Sequence, residues 1–342
     1  MAKSEIMGEK LRFAVIGCGR IGTRRINALK KLDAEVAYIV DTVEPHVARL
    51  AREVGCDYST GFHEAVKRND VDCVIVATPN KFHAPITIEA LKNRKHVLCE
   101  KPLARNPWEA RAMVEAALKN GVFLKTGSNL RYFSNVRKAK ELFDARAIGE
   151  PLFMRGWIGH DIMKWTGYRS GEPKPWFLDK DLMGGGTLLD NGVHILDLFR
   201  WFLGDFKSCF GYAQTLRLPI EAEDNGWGLF KAEDGRTAFV QCSWMEWSGY
   251  MYMEIYGTDG CVYVDNRRNL SKTVLGDREG TQQIFDYSTE PPRSYEVELK
   301  DYIQAIKEGQ QPLASGYDGM KAVEMVHGIY ESSRTGRIVD LT

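Results

Sequence analysis

The segment around residue 190 carries the best candidate for proton-transfer chemistry. Asp190, His194 and Asp197 stand at positions i, i+4 and i+7 of a predicted helix and so share one face. Their neighbours are mostly apolar, which indicates a largely buried helix whose polar groups need partners. An imidazole oriented by a carboxylate suits proton abstraction near neutral pH, so we predict that His194 and Asp190 are catalytic. The alternative is a structural network in which His194 bonds to backbone. For Asp197 we prefer that interpretation, with Arg200 as its partner.

A glycine-rich turn follows the first predicted strand. Gly17, Gly19 and Gly22 form the pattern Gly-x-Gly-x-x-Gly between a strand over 12–16 and a predicted helix. Gly17 permits a tight turn, Gly19 lets backbone amides approach a pyrophosphate, and Gly22 lets the helix pack close to the strand. The positive end of the helix would face the phosphates. This arrangement predicts a dinucleotide site.

The second predicted strand ends in Asp41, about 20 residues after the last of these glycines, where a carboxylate accepts hydrogen bonds from the adenosine ribose. The carboxylate would repel a 2′-phosphate, and Thr42 adds no positive charge. We therefore predict NAD as the cofactor, with NADP disfavoured. The alternative is that Asp41 only begins the turn to Pro45.

Lys101 is a further catalytic candidate, in the run Glu100-Lys101-Pro102 after a strand that ends at Cys99. A lysine there would lie beside the nicotinamide and hydrogen-bond the reacting oxygen. The positive nicotinamide ring would disfavour the ammonium form. A solvated surface lysine is the alternative.

The predicted elements place these residues together. Strands and helices alternate through the first 128 residues, which indicates an α/β, doubly wound parallel sheet. Beyond them, strands follow one another without helices, which predicts an α+β domain with a large open, mainly antiparallel sheet. We expect an NAD-binding domain over 1–128 and a substrate-binding and oligomerisation domain over 129–342. A last helix, about 317–334, can pack back near the first domain.

Composition excludes other classes of protein. Lys+Arg and Asp+Glu both number 46, so the net charge is zero, unlike that of a typical nucleic-acid binder. No apolar run approaches the ~20 residues of a membrane span, and residues 1–10 do not resemble a secretory signal, so we expect the cytoplasm. The seven cysteines are widely spaced, which argues against a disulfide framework or a structural zinc site, and we expect no metal.

One predicted strand has two apolar faces. Tyr250, Tyr252 and Tyr256 alternate with Met251, Met253 and Ile255. Such a strand is expected to pack one face on helices and the other on a second subunit. An intrachain core on both faces is the alternative.

Four motifs, in order, resemble the glucose-fructose oxidoreductase/inositol dehydrogenase (Gfo/Idh/MocA) family over essentially the whole chain. They are the glycine pattern at 17–22, Ala77-Thr78-Pro79-Asn80 with His83, Glu100-Lys101-Pro102, and Gly184-Gly185-Gly186-x-x-x-Asp190-x-Gly192-x-His194. The resemblance implies an amino-terminal Rossmann domain and a carboxyl-terminal α+β domain whose sheet forms dimers or tetramers. It also implies NAD(P)-dependent oxidation or reduction of sugars and cyclitols.

The family's catalytic lysine, aspartate and histidine fall on Lys101, Asp190 and His194. The residues expected to contact the cofactor are Gly17, Gly19, Arg20, Ile21, Gly22, Asp41, Thr42, Thr78, Pro79, Asn80, His83, Glu100, Lys101 and Trp176. Many relatives have Trp-Arg where this chain has Trp176-Phe177, so the resemblance does not carry over one possible phosphate or carboxamide contact of the family.

Together these observations predict an NAD-dependent dehydrogenase that oxidises a secondary hydroxyl of a monosaccharide, cyclitol or sugar derivative. His194 would be the base, Asp190 would orient it and bind a substrate hydroxyl, and Lys101 would polarise the reacting oxygen. Aromatic and amide side chains suit a sugar, and the further candidates for its pocket are Asn129, Arg131, Trp157, Tyr168 and Trp176. Two alternatives remain: a glycoside-processing enzyme that oxidises C3 transiently with tightly bound NAD, and a non-catalytic sugar or dinucleotide sensor.

Overall fold

The computed structural model describes residues 10–169, 175–247, 249–291 and 293–341. Residues 1–9, on which the expectation about a secretory signal depends, lie outside this part of the chain. The described residues form two compact units. The first contains residues 10–129 and 293–320, and the second contains residues 130–291 and 321–341. The chain therefore returns to the first unit after it has built most of the second.

The first unit is a parallel sheet with helical connections. Its elements up to residue 129 are β1 (Leu11–Ile16), α1 (Arg20–Leu29), β2 (Ala34–Val40), α2 (Glu44–Val54), β3 (Asp57–Ser59), α3 (Phe62–Lys67), β4 (Cys73–Val76), α4 (His83–Lys92), β5 (His96–Cys99), α5 (Pro107–Asn120) and β6 (Leu124–Thr126). The six strands pair in parallel in the order β3-β2-β1-β4-β5-β6. This is the strand order of a Rossmann fold, as the alternating pattern predicted.

Local signals set several of these boundaries. The side chain of Asn106 accepts a hydrogen bond from the Glu109 N–H at the start of α5, and Gly121 ends that helix with φ +64°. Strand β3 was not predicted, because its three residues are polar or half-exposed and carry no apolar run. Strand β1, by contrast, is buried on both faces, as expected of a central parallel strand.

The second unit has a large mixed sheet. Its elements are α6 (Ser134–Asp144), β7 (Pro151–Gly159), α7 (Ile162–Thr166), α8 (Lys180–Met183), α9 (Val193–Leu203), β8 (Ser208–Gln214), β9 (Asn225–Lys231), β10 (Thr237–Ser243), β11 (Met251–Gly257), β12 (Gly260–Asp265), β13 (Lys272–Asp277) and β14 (Gln282–Asp286). Two helices, α10 (Ser294–Glu308) and α11 (Gly316–Thr335), and the short strand β15 (Val339–Asp340) follow. The sheet order is β14-β13-β12-β11-β7-β10-β9-β8-β15, antiparallel except for the β7–β10 pair.

The sheet of the second unit has one packed face. Met251, Met253 and Ile255 are fully buried in the core that also contains Ile195 and Phe199 of α9. The strands β13–β15 were not predicted, because they are short or alternate with many polar residues. Within the described part of the chain, no helix combines the length and apolarity needed to cross a bilayer.

Candidate functional site

The glycine-rich turn of the first unit is tightly closed. Gly17 has φ +91°, and a Cβ there would lie 2.6 Å from the carbonyl oxygen of Ala77. A Cβ at Gly22 would lie 1.8 Å from the carbonyl oxygen of Gly17. No larger residue fits either position without moving the backbone. These two glycines therefore bring the start of α1 against the ends of β1 and β4.

The side of the turn at the start of α1 is open. Gly19 caps α1 with an extended backbone, and a Cβ there would meet no atom of the described residues within 4 Å. Gly19 has no side chain that could form an N-cap hydrogen bond. Arg20 is exposed and Ile21 is half-buried. The start of α1 therefore fits the approach of an anion such as a pyrophosphate.

Asp41 is fixed beside this turn. Its Oδ2 accepts a hydrogen bond from the Cys18 N–H at 2.8 Å, and its Oδ1 accepts one from the Val43 N–H at 3.0 Å. A carboxylate has about four acceptor positions, so capacity remains for ribose hydroxyls. Thr42 beside it is exposed. The carboxylate both shapes the turn and fits the role of a ribose ligand.

Cys18 and His46 complete the turn. The Cys18 thiol is buried and donates to the Val40 carbonyl at 3.4 Å, and burial raises its pKa to about 12, so it is an inert thiol. His46 Nε2 lies 2.9 Å from the Cys18 carbonyl oxygen. His46 was not predicted from the sequence to be part of this turn, because it lies in the first turn of α2 without a recognisable motif.

The loop after β4 is linked to the segment after β5 by His83. Its Nδ1 lies 2.8 Å from the Pro102 carbonyl oxygen and its Nε2 lies 2.9 Å from the Thr78 carbonyl oxygen. Burial lowers the pKa of His83, so the ring is neutral near pH 7 and donates to one of these carbonyls. The direct cofactor contact that we expected is replaced, at both ring nitrogens, by contacts with backbone.

The remaining residues of this loop fit a polar ligand. Asn80 is buried, Pro79 is half-buried, and Thr78 Oγ1 is a buried hydroxyl that makes no hydrogen bond with any described residue. A buried hydroxyl needs a partner, so its position favours a ligand with a polar group at this point.

Glu100 belongs to a buried charge cluster. Arg25 Nε donates to Glu100 Oε1 at 2.7 Å, and Arg25 Nη1 donates to Glu298 Oε2 at 2.6 Å. The Lys125 ammonium lies 3.3 Å from Glu298 Oε1, and it donates to the Leu313 carbonyl at 2.6 Å. The two carboxylates hold the pKa of Arg25 above its usual value despite complete burial.

We expected Glu100 to contact the cofactor, but its Oε1 is engaged by Arg25 of α1. The sequence reading missed Arg25 and Glu298, which lie 273 positions apart and give no local signal. The cluster anchors the residue that precedes Lys101, which is half-buried at the carboxyl end of β5. Asn129, at the end of this unit, donates to the Ser294 hydroxyl at 3.4 Å.

In the second unit, the glycine run at 184–186 lets the chain approach Glu223. A Cβ at Gly186 would lie 1.8 Å from the Glu223 carbonyl oxygen, and one at Gly185 would lie 2.3 Å from the Tyr330 hydroxyl. The Glu223 carboxylate accepts hydrogen bonds from the N–H groups of Gly186 at 2.8 Å and Leu188 at 3.0 Å, and from the Tyr330 hydroxyl at 2.8 Å. Burial nevertheless raises the pKa of Glu223. This carboxylate, which the sequence reading missed, caps the helical segment that follows.

That segment begins with a π-helical turn over Leu188–Gly192 and continues as α9. Asp190 lies in the π turn and His194 in the first turn of α9; their exposed fractions are 4% and 6%. The indole N–H of Trp244 donates to Asp190 Oδ2 at 3.1 Å. π-Helical turns inside α-helices are frequent at functional sites. The sequence predicted a helix here but not the wider turn.

Asn191 and His160 are two further polar residues near this turn. Asn191 Nδ2 lies 3.3 Å from His160 Nδ1, and Asn191 is buried. Neither was singled out from the sequence. His160 directly follows β7, and its position beside the π turn depends on sheet pairing, which no local motif signals.

Arg131 and Asp197 form a buried ion pair. Arg131 donates from Nε and Nη2 to the two carboxylate oxygens of Asp197, both at 2.7 Å. The pair gives Asp197 a structural partner in Arg131, and Arg200 pairs with Asp205. Two nitrogens of the Arg131 guanidinium are thereby engaged within the core, and a contact of Arg131 with a sugar stays a prediction.

Trp157 lies on the opposite face of the sheet from α9. Its neighbour Gly156 faces Ile195 and Phe199, whereas Trp157 packs at a tilt on Tyr252 with ring centroids 4.5 Å apart. Neighbouring residues of a strand point to opposite faces, so Trp157 lies on the face away from α9, and its contact with a substrate stays a prediction.

The other two aromatic candidates are packed. Tyr168 packs against a small cluster that includes Trp244, the partner of Asp190. Trp176 is half-buried, with its ring centroid 3.9 Å from that of Phe177. Tyr168 therefore packs against the cluster that contains a hydrogen-bond donor to Asp190.

The six-stranded parallel sheet, its glycine-rich turn and the adjoining carboxylate define a dinucleotide-binding Rossmann domain. Residues 11–128 match the GFO/IDH/MocA oxidoreductase family with its NAD-binding Rossmann fold, and residues 136–263 match the C-terminal domain of that family. The chain belongs to the GFO/IDH/MocA oxidoreductase family.

Relatives of known activity span almost the whole chain. The chain is 29% identical to myo-inositol 2-dehydrogenase of Thermotoga maritima, over 97% of this chain and 98% of that protein. It is 26% identical to scyllo-inositol 2-dehydrogenase (NAD(+)) of Bacillus subtilis, over 98% of this chain and 97% of that protein. A levoglucosan dehydrogenase solved with NADH and levoglucosan has the same fold, with a TM-score of 0.88 at 23% identity over 97% of this chain and 100% of that chain.

Proposed function

We propose that this protein is an NAD-dependent dehydrogenase that oxidises a secondary hydroxyl of a cyclitol or monosaccharide. The observation that carries the proposal is the buried Asp190–Trp244 hydrogen bond on a helix that also bears His194, in a chain with a dinucleotide turn. A sensor has no need of buried proton-transfer groups. The inositol dehydrogenases among the relatives support cyclitols as the first substrates to be tried.

The proposed roles follow from the chemistry of the side chains. When bound, the nicotinamide supplies the hydride acceptor. His194 accepts the hydroxyl proton as the carbonyl forms, and Asp190 orients the imidazole and binds a substrate hydroxyl. Lys101 donates a hydrogen bond to the reacting oxygen, where negative charge develops. Tyr168 and Asn129 remain candidates for contacts with the polyol.

The first unit supports NAD rather than NADP. The Asp41 carboxylate is held beside the turn by two backbone N–H groups, and it would repel a 2′-phosphate. The proposed cofactor contacts are the N–H groups at the start of α1, the Asp41 carboxylate and the Thr78 hydroxyl. Glu100 and His83 hold the adjoining loops through Arg25 and the backbone.

We also propose that the outer face of the second unit's sheet pairs with a second copy of the chain. Large apolar side chains with exposed fractions from 37% to 58% lie on this face: Phe153, Tyr212, Leu229, Phe239 and Ile284. An exposed apolar surface of this extent is typical of an interface. A dimer or tetramer follows. The seven free cysteines fit a reducing compartment such as the cytoplasm.

The test is a panel of cyclitols and monosaccharides, each assayed with NAD and with NADP by the absorbance of the reduced nicotinamide. We expect reduction of NAD by at least one cyclitol or monosaccharide, with NADP a poorer cofactor. A panel without any reduction would refute the proposal. NAD that stays bound through purification, without net release of NADH, would favour the transient C3 oxidation of a glycoside.

A further inference from the structure

The Trp244 side chain donates a hydrogen bond to the Asp190 carboxylate from outside the helix that carries Asp190. The indole is fully buried and its N–H is 3.1 Å from Asp190 Oδ2. A donor to a carboxylate oxygen fixes the carboxylate plane and stabilises the ionised form. Both effects are needed for Asp190 to orient the His194 imidazole.

The two partners of this hydrogen bond are held by the same dipeptide, Glu223-Asp224. The Glu223 carbonyl accepts the Thr187 N–H at 3.0 Å, and its carboxylate caps the π turn that carries Asp190. The Asp224 carbonyl accepts the Trp244 backbone N–H at 2.9 Å. The Trp244 donor and the segment that carries the Asp190 acceptor are therefore both held by hydrogen bonds to this dipeptide.

The side chain of Asp224 supports the indole from a second direction. It is fully buried and accepts hydrogen bonds from three successive backbone N–H groups, those of Leu216, Arg217 and Leu218. Leu218 packs in the cluster that contains Trp244. The loop that covers the indole is thus fixed by the residue that also accepts its backbone N–H.

We propose that Trp244 is a positioning residue: its indole N–H orients the Asp190 carboxylate and favours the ionised form, and Glu223-Asp224 sets the geometry of that contact. This inference rests on the catalytic role proposed for Asp190. It adds Trp244, Glu223 and Asp224 as the residues that position Asp190. All three lie outside the four sequence motifs of the family.

The groups that titrate near Asp190 must be separated in any pH profile. They are His194 on α9, His160 at the end of β7, Cys242 on β10, Glu223 before β9 and Tyr330 on α11. Burial raises the pKa values of Cys242 and Tyr330 well above their ordinary range, so neither titrates between pH 4 and 9. The Trp244 indole N–H donates to the Asp190 carboxylate and not to the Glu223 carboxylate.

The first test is Trp244→Phe, which keeps an aromatic ring and removes the donor. With the best substrate of the panel, we expect kcat to fall about 10- to 100-fold. The acid limb of the kcat/KM profile should move to higher pH, because Asp190 loses a donor to its ionised form. NAD affinity should stay unchanged. A merely structural role would lower stability without moving the limb.

Trp108→Phe is the matched control. Trp108 lies in the first turn of α5, is 70% exposed and belongs to none of the proposed sites. We expect wild-type kcat and an unmoved acid limb for this variant. Wild-type kcat and limb position in Trp244→Phe would overturn the proposal.

A second readout needs neither substrate nor a folded Trp244 variant. The chain has eight tryptophans, whose indole N–H resonances can be followed by NMR in the wild type and in Asp190→Asn. We expect one indole resonance to shift in Asp190→Asn and to titrate with pH in the wild type. If no indole resonance moves, the proposal fails. Wild-type turnover in Asp190→Asn would instead refute the role proposed for Asp190, whereas a slow Asp190→Asn with an unaffected Trp244→Phe would refute only the role of Trp244.

Discussion

At the scale of single residues, the candidate site depends on buried polar groups whose partners come from distant parts of the chain. The Asp190 carboxylate accepts a hydrogen bond from the Trp244 N–H, and the Glu100 carboxylate accepts one from Arg25. The glycine spacing and the Asp190–His194 interval are local patterns, so the sequence alone singles out these residues as candidates, and their chemical roles stay predictions. The sequence did not predict the partners, because a hydrogen bond between distant residues leaves no periodic signal.

The residues predicted to act on the proton can be tested singly. His194→Ala and Lys101→Ala should each slow turnover by ~10²–10⁴-fold, because each removes a proton-transfer or polarising group. NAD affinity, followed by fluorescence titration, should stay within a factor of about two. Lys92→Ala, at an exposed position in the last turn of α4, is the control and should leave both quantities unchanged. Wild-type turnover in His194→Ala would contradict the assignment.

At the scale of elements, the strongest periodic segments were predicted and the irregular ones were not. Helix α5 begins and ends where Asn106 and Gly121 indicated. The π turn at Leu188–Gly192 escaped prediction, because it changes the hydrogen-bonding pattern without changing the apolar spacing that identifies a helix. The glycine run before it gave the only sequence indication of close packing there.

Two glycine substitutions in the turn between β1 and α1 are expected to separate its effects on stability and on NAD binding. Gly22→Ala places a methyl group 1.8 Å from a backbone oxygen, so we expect a loss of more than about 3 kcal/mol in unfolding free energy. Gly19→Ala meets no described atom within 4 Å and should leave that free energy nearly unchanged. Its methyl group should weaken NAD binding, since it occupies the side from which a pyrophosphate approaches. Chemical denaturation and NAD titration of both variants check the pair; equal stability losses would contradict it.

His96 at the start of β5 makes the fold pH-dependent. Its Nδ1 accepts the Phe123 N–H at 3.1 Å, and burial lowers the pKa of His96 from 6.5 to about 4. Between these values the unfolded chain binds the proton and the folded chain does not. This contribution to stability is therefore present above pH 6.5 and is lost as pH falls towards 4, to an extent of roughly 2–3 kcal/mol.

His96→Asn keeps an acceptor for the Phe123 N–H but removes the titrating group. Urea unfolding between pH 4 and 6.5 should give a smaller rise of stability with pH in this variant than in the wild type. Parallel curves for the two proteins would show that His96 does not carry the effect.

At the scale of the whole molecule, the division into two units was only partly visible in the sequence. The change from alternating strands and helices to consecutive strands marked the start of the second unit near residue 129. The return of residues 293–320 to the first unit was not predicted, apart from the possibility raised for the last helix, because it depends on buried pairs such as Arg25–Glu298. The outer sheet face, by contrast, was anticipated from the two apolar faces of β11.

That face carries a prediction about assembly. Leu229→Lys with Phe239→Lys places two charges on adjacent paired positions of the outer face, which should break a dimer or tetramer by desolvation cost. Light scattering should return a multimer for the wild type and a smaller species for the double variant. Leu118→Lys, at a site 78% exposed on α5, should leave the assembly intact. A monomeric wild type would end the proposal of subunit pairing.

The proposed activity moves a hydride from a carbinol carbon to NAD, and a deuterium-transfer experiment is its decisive test. The most active polyol of the panel is supplied with deuterium at its carbinol carbons, and the reduced nicotinamide is examined by mass spectrometry and NMR. We expect one deuterium per reduced nicotinamide, at a turnover lower than with the protiated polyol, and no transfer with His194→Ala on the same timescale. Reduced nicotinamide without deuterium, or no reduction at all, would contradict it.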